Sequence, residues 1–320
     1  MNIMALLRSL PGGVAQGLMW SIVAIGVYIS YRILDFADLT VDGSLMTGGA
    51  VTAMAIVAGI HPLLAMLLAF LAGAAAGAVT ALLNTKFKIP TILSGILTMS
   101  ALYSVNLRIM KGSNSVTIDR NRSYNGMFAN LFNLSPIDDK NVLTIISTCI
   151  LIAAVIAVLY WFFGTEIGSS VRATGSNEKM ARAQGINTDL TKFIALSLSN
   201  GLAALSGALI AQYSGSASLE MAEGTIVIGL ASVIIGELIF GNKFAFWLKM
   251  TGVVIGGVIY RLIFTIALQL GMKSTDINLV SSVIIVITLC VPNVKNFFAK
   301  KGAKNSRDKK RIRSKKNVRN

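Results

Sequence analysis

Three ionisable residues stand in or beside apolar runs where a charge needs a reason: Glu237 and Arg261 lie within two of them, and Asp42 just precedes a third. A charge is costly away from water, so a chain that keeps one there pairs it or uses it on an ion or solute. Glu237 and Arg261 can pair with each other, or Arg261 can line a wet path and meet a solute carboxylate. Asp42 stands close to Ser44 and Thr47, and this polar group either lines a translocation path or, with Asp38, caps the segment that follows. Other chemistry has little to work with. The one histidine, His61, sits beside Pro62 in a short loop, and both cysteines, Cys149 and Cys290, lie in apolar runs as small core residues. No spacing suggests a metal site or a disulfide framework, and the His/Glu or Ser/His sets of an intramembrane enzyme are missing. The expectation is a non-enzyme with no metal and no cofactor.

A second group lies outside the apolar runs, in the polar stretch 164–187. Ser176 is suited to the N-cap of a helix, Glu178 in the first turn to its dipole, and Gly185 to the residue just past its end. These predict a helix over 177–184, ~12 Å long at 1.5 Å per residue. Met180 and the edge formed by Ala183 and Gln184 would enter a groove on a partner, with Lys179 and Arg182 at the rim. The competing reading is an ordinary solvated loop.

The elements that hold these residues are membrane spans. The 320 residues are 54% hydrophobic and 13% charged, with a mean hydropathy of +0.69; a soluble domain carries about 25% charged residues. Apolar runs at 13–34, 44–60, 63–83, 91–110, 142–163, 191–213, 225–240, 244–270 and 277–291 predict an all-α polytopic membrane protein with eight or nine spans. The count depends on whether the short second run crosses fully. The first ten residues do not read as a cleavable signal. Two regions divide the chain: a transmembrane domain over 1–294, containing the polar loop 165–190, and a basic tail over 295–320. That tail holds 12 Lys or Arg against one Asp, so most of the net charge of +15 belongs to it. It reads as an anchor against anionic lipid on the cytoplasmic side, not as a nucleic-acid surface. Lys86 and Lys88, then Arg172, Lys179 and Arg182, then Lys243 fall in alternate loops, which the same rule makes cytoplasmic.

An internal repeat is legible. Asp42-Gly43-Ser44 opens a small-residue helix, a break at His61-Pro62, and a helix with Gly73 and Gly77. Glu223-Gly224-Thr225 opens an apolar helix, a break at Asn242-Lys243, and a helix with Gly252 and Gly256. Each glycine stands 18 residues before its break. The alternating topology inverts one copy relative to the other, a pattern that transporters use with the solute path near the repeat interface. Small residues over 71–78 offer a smooth face for packing within the subunit or for a dimer seam.

The stretch Gly168-Ser169-Ser170-Val171-Arg172-Ala173-Thr174-Gly175-Ser176-Asn177-Glu178-Lys179-Met180-Ala181-Arg182-Ala183-Gln184-Gly185-Ile186-Asn187 resembles the cytoplasmic loop of ABC-importer permeases of the branched-chain amino acid and ribose type. Met180 departs from the small residue of that pattern. The runs 198–209 and 38–44 resemble the family as well, and the phrasing around Asp42 and over 93–100 is similar to a subgroup that accompanies binding proteins for aromatic amino acids or similar small solutes. The resemblance implies a permease without an ATPase of its own, and the chain has no Gly-x-x-x-x-Gly-Lys-Ser/Thr loop. It further implies two cytoplasmic ABC ATPases, an extracytoplasmic solute-binding protein, a second permease copy of the same or a different chain, and a place in the bacterial plasma membrane. Arg172, Gly175, Ser176, Asn177, Glu178, Met180, Ala181 and Gly185 then become ATPase-coupling residues, while Asp42, Ser44, Thr47, Glu237 and Arg261 are candidates for the translocation path. Glu220 and Glu223 would meet basic residues of the binding protein or remain solvated. The alternative class is an ion-coupled secondary transporter, which has no need of the polar helix.

Overall fold

The structure, a computed structural model, describes residues 3–119, 140–240, 245–270, 282–283 and 286. Helix α1 (Ile3–Val27) continues into a π-helical turn, Tyr28–Ile33. Helices α2 (Thr40–Val57) and α3 (Pro62–Thr85) form a hairpin, followed by α4 (Thr91–Ile109) and strand β1 (Ser115–Thr117). Helix α5 (Lys140–Gly164) leads into two short helices, α6 (Glu166–Ser176) and α7 (Glu178–Ala183). Helix α8 (Thr188–Ser214), strand β2 (Ser216–Ser218) and a short 3-10 turn, Leu219–Ala222, precede α9 (Thr225–Phe240) and α10 (Phe246–Gln269). The strands pair antiparallel, Val116 opposite Ala217, at the end of the bundle away from α6 and α7.

Among the described residues eight helices are long and apolar enough to cross a membrane. They answer to the first eight predicted runs. The ninth run, apart from residues 282, 283 and 286, lies outside the described residues, as do Asn242, Lys243, Cys290, most of the 111–141 loop and the basic tail. Leu64 and Leu67 of α3, Ile92 of α4, and Val158 and Trp161 of α5 are exposed. Such a surface suits hydrocarbon and not water, because in a bilayer lipid tails are as apolar as these side chains. Cys149 belongs to this outer face and not to the core as its apolar run suggested. The inward stripe of α5 there is Ser147, Thr148 and Ile152, and residue 149 points away from it.

The core is an exchange between two halves. The α2–α3 hairpin packs chiefly on α8, while α9 and α10 pack on each other and on α1; α1 and α8 pack together at the centre. Polar and small residues make the central contacts. The Ser199 hydroxyl donates to the Gly26 carbonyl at 2.7 Å, and the Ser206 hydroxyl to the Met19 carbonyl at 2.8 Å, so α1 and α8 run antiparallel. Gly73 and Gly77 lie against the backbone of Asn200 and Leu196, where a Cβ would collide. The 71–78 stripe therefore serves packing inside the subunit. The second Gly pair is used differently: Gly252 and Gly256 of α10 face Gly236 and Ser232 of α9, within their own hairpin.

The exchange fixes where α2 and α9 begin. Ser44 of α2 bonds Asn200, 12 residues along the 27-residue α8, so α2 starts ~18 Å from the end of α8 nearest the polar loop. Gly229 of α9 abuts Val27 of α1, and Glu237 reaches Arg32. The two helices thus start beside one another at mid-depth and run to opposite ends of the bundle. That is the inverted arrangement predicted from the repeat.

Candidate functional site

The polar stretch folds as two helices. Thr165 opens α6 by accepting the Gly168 N–H at 3.3 Å. Gly168, Val171 and Thr174 then form the buried stripe of α6, and Thr174 and Thr191 hydroxyls meet at 2.9 Å to tie it to α8. The predicted cap moves by one residue: Asn177, in extended backbone, accepts the Met180 N–H at 3.0 Å, whereas Ser176 is still the last residue of α6. Thr165 starts a helix upstream that runs through Ser176, so the break that opens α7 is capped one residue later. The end is as predicted. Gly185 has φ +82°, its N–H donates to the Arg182 carbonyl at 3.1 Å, and the Ile186 N–H donates to Ala181 at 3.1 Å. This pair of bonds is the Schellman closure, which needs a left-handed residue that glycine supplies without strain.

Ala181 is fully buried, while Met180 is 54% exposed and Lys179, Ala183 and Gln184 are exposed with it. Arg182 is not a free rim charge. Its guanidinium reaches Glu178 at 3.2 Å, the Thr188 hydroxyl at 2.6 Å and Asp189 at 3.4 Å, and Lys192 adds a bond to Glu178 at 2.9 Å. Arg172 also turns inward, donating to the Phe163 carbonyl and lying over the Phe246 ring. The charges fasten α7 to α8 and leave Met180 at the surface.

The polar helices also touch the transmembrane core. A Cβ at Gly175 would collide with the Ile33 carbonyl, so the glycine permits α6 to meet the π-helical end of α1 backbone to backbone. One residue earlier, Arg32 pairs with Glu237 of α9 at 2.6 Å. The predicted Glu237–Arg261 pair is therefore corrected. Arg261 instead donates to the Gln16 side chain at 2.6 and 3.0 Å and lies near the Phe264 and Trp20 rings. Gln16 and Arg32 are sixteen residues apart on one helix, ~24 Å at 1.5 Å per residue, so Glu237 and Arg261 occupy different depths.

The other sequence candidates gather where α2 and α9 begin. Asp38 accepts the Thr40 N–H at 2.9 Å and the Asn200 amide at 2.6 Å; the Asn200 carbonyl accepts the Ser44 hydroxyl at 2.6 Å. Thr47 bonds the Gly43 carbonyl of its own helix at 2.8 Å. Ser44 and Thr47 are thereby buried in helix contacts, whereas Asp42 is half-buried and accepts the Ile226 N–H of α9 at 2.8 Å. The capping role is thus divided: Asp38 serves α2, and Asp42 serves the helix of the other half. Asp42 also lines a cavity of about 180 Å³ with Gly43, Met46, Met99, Tyr103 and Glu223. Asn200, the hub of this cluster, was not singled out from sequence. An amide inside the run 196–205 is the signal that could have found it.

Comparison with known proteins places this arrangement. The family described as "Branched-chain amino acid transport system / permease component" matches residues 9–291. The tyrosine transport system permease protein of Clostridioides difficile (strain R20291) is 40% identical over 289 residues, covering 90% of this chain and 93% of that one. The ribose import permease protein RbsC of Escherichia coli (strain K12) is 26% identical over 279 residues, 86% and 82% of the two chains. A solved structure, PsaBC from Streptococcus pneumoniae in complex with Fab, is 15% identical with a TM-score of 0.41, covering 82% of this chain and 94% of that one.

Proposed function

The chain belongs to the branched-chain amino acid transport system permease family, and on that premise we propose that it carries a small amino acid-like solute inward, driven by a separate ATPase docked on α6 and α7. It is a multi-pass membrane permease component of an ABC importer and not an enzyme. The observation that carries the docking reading is Met180, an exposed apolar residue on a helix whose neighbours Ala181 and Arg182 are fastened to α8. A solvated loop has no use for that anchoring. In this reading the α6–α7 end, with the basic tail, faces the cytoplasm; solute reaches the opposite end from a binding protein, and a second permease copy completes the path. The similarity to a tyrosine permease supports an amino acid as solute.

The internal contacts supply a route for the coupling. Movement of α6 acts through Gly175 on Ile33, the adjoining Arg32 acts on Glu237, and α9 carries the displacement to Ile226 and Asp42. A rigid helix held at both ends transmits a shift as a unit, which is the form of a switching transition between two packed states.

Replacing 175–185 with a flexible linker tests the docking. The ATPase is expected to stop co-purifying in mild detergent while the permease still elutes as a folded species. Retained ATPase binding together with uptake would reject it.

A further inference from the structure

We propose that the cavity between the starts of α2 and α9 is an intramembrane subsite for the primary ammonium end of a solute, the ammonium meeting Asp42 and Glu223 and the apolar body that carries it lying on Met46, Met99 and Tyr103. The inference rests on the permease reading above and adds the chemical class that the path accepts.

Three observations support it. Asp42 lies at mid-depth, yet among the described residues no Lys or Arg is within ion-pair distance of it or of Glu223; the ion pairs among those residues, Arg32–Glu237, Arg182 with Glu178 and Asp189, and Lys192–Glu178, all lie toward the α6–α7 end. A carboxylate at that depth without a counter-charge leaves a place for a cation. The two carboxylates stand against an apolar lining, and among the described residues no group of three His, Cys, Asp or Glu gathers as a metal site. Two thioethers and a phenol ring suit the carbon skeleton of an organic amine, and the ring face attracts its charge. Third, behind the wall the fully buried Asn106 donates to the Gly43 carbonyl at 3.5 Å, and among the described residues its own carbonyl oxygen has no partner, so this neighbour of Asp42 supplies no positive charge.

The test is thiol protection in the full chain in lipid nanodiscs. Met99→Cys is placed in a Cys149→Ser, Cys290→Ser background, and its reaction with neutral N-ethylmaleimide is timed. The probes are phenylpropylamine, phenylpropanol and phenylpropionate, similar in shape and differing in charge. The amine is expected to slow labelling several-fold, the alcohol and the acid little. Asp42→Asn, which keeps an oxygen for the Ile226 N–H, should abolish protection by the amine, and Glu223→Gln should weaken it. Without probes, a cationic methanethiosulfonate should outpace its anionic counterpart by roughly tenfold beyond their ratio on a free thiol, and Asp42→Asn should remove that excess. Equal protection by amine and acid, or protection that survives Asp42→Asn, would overturn the proposal. No ATPase takes part, so this result is independent of the docking experiment.

Discussion

The carboxylate of Asp42, in the first turn of α2, accepts the backbone N–H of Ile226, in the first turn of α9, at 2.8 Å. Two helices that start at mid-depth and run apart are thereby joined across the halves of the repeat. Asp42→Ala removes the cap and leaves a partly buried N–H without its acceptor, at a cost of about 1 kcal/mol. Asp42→Asn keeps the bond. Thermal unfolding followed by fluorescence-detected size exclusion should show a lowered midpoint for the alanine variant and a near-parental one for asparagine.

The Arg32–Glu237 pair is half exposed, so its value to stability is small, about 0–1 kcal/mol. Its value to coupling is the larger effect in this account. Arg32→Glu and Glu237→Arg singly should lower uptake and solute-stimulated ATP hydrolysis while expression stays near parental. The double variant, which restores the pair with its charges exchanged, should recover both. Singles that transport at the parental rate would remove the pair from the relay.

Gly175 has no room for a side chain beside the Ile33 carbonyl. Gly175→Val should separate α6 from α1, costing about 1–3 kcal/mol if the helices shift to relieve the clash. Because the contact lies between the docking helices and the core, ATP hydrolysis should continue with uptake reduced. A reconstituted system that reports both rates distinguishes this from simple unfolding.

Arg261 is held by Gln16 and two aromatic rings among packed helices. Arg261→Ala leaves the Gln16 carbonyl without its donor and opens a void at the α1–α10 contact, a loss of about 2–4 kcal/mol. Yield of monodisperse protein should fall sharply, and Arg261→Lys, with one donor group in place of a fork, should recover only part of it. An alanine variant that is stable but inactive would instead return Arg261 to the solute path.

Much of this architecture is legible in the residues. The spans follow from apolar length, because a helix must satisfy its own backbone across a bilayer. The repeat shows in the matched Asp42-Gly43-Ser44 and Glu223-Gly224-Thr225 openings. Partnerships between distant residues are not legible in the same way. Glu237 and Arg261 invite pairing as the conspicuous charges of neighbouring spans, yet depth separates them, and Arg32 at the end of α1 takes the partner instead. Asn177 rather than Ser176 caps α7 because both are good caps and only the upstream start at Thr165 decides between them. Which carboxylate caps which helix depends on the exchange of α2 and α9 between halves, a tertiary fact that periodicity does not encode.

A photo-cross-linker in place of Met180 reports whether α7 touches an ATPase. With the full chain expressed in its native membranes, ultraviolet illumination should join residue 180 to a cytoplasmic polypeptide carrying a nucleotide-binding P-loop, identified by mass spectrometry, while the same cross-linker at the outward-facing Val158 should not. An importer that takes up solute while residue 180 yields no adduct with such a protein would contradict the account.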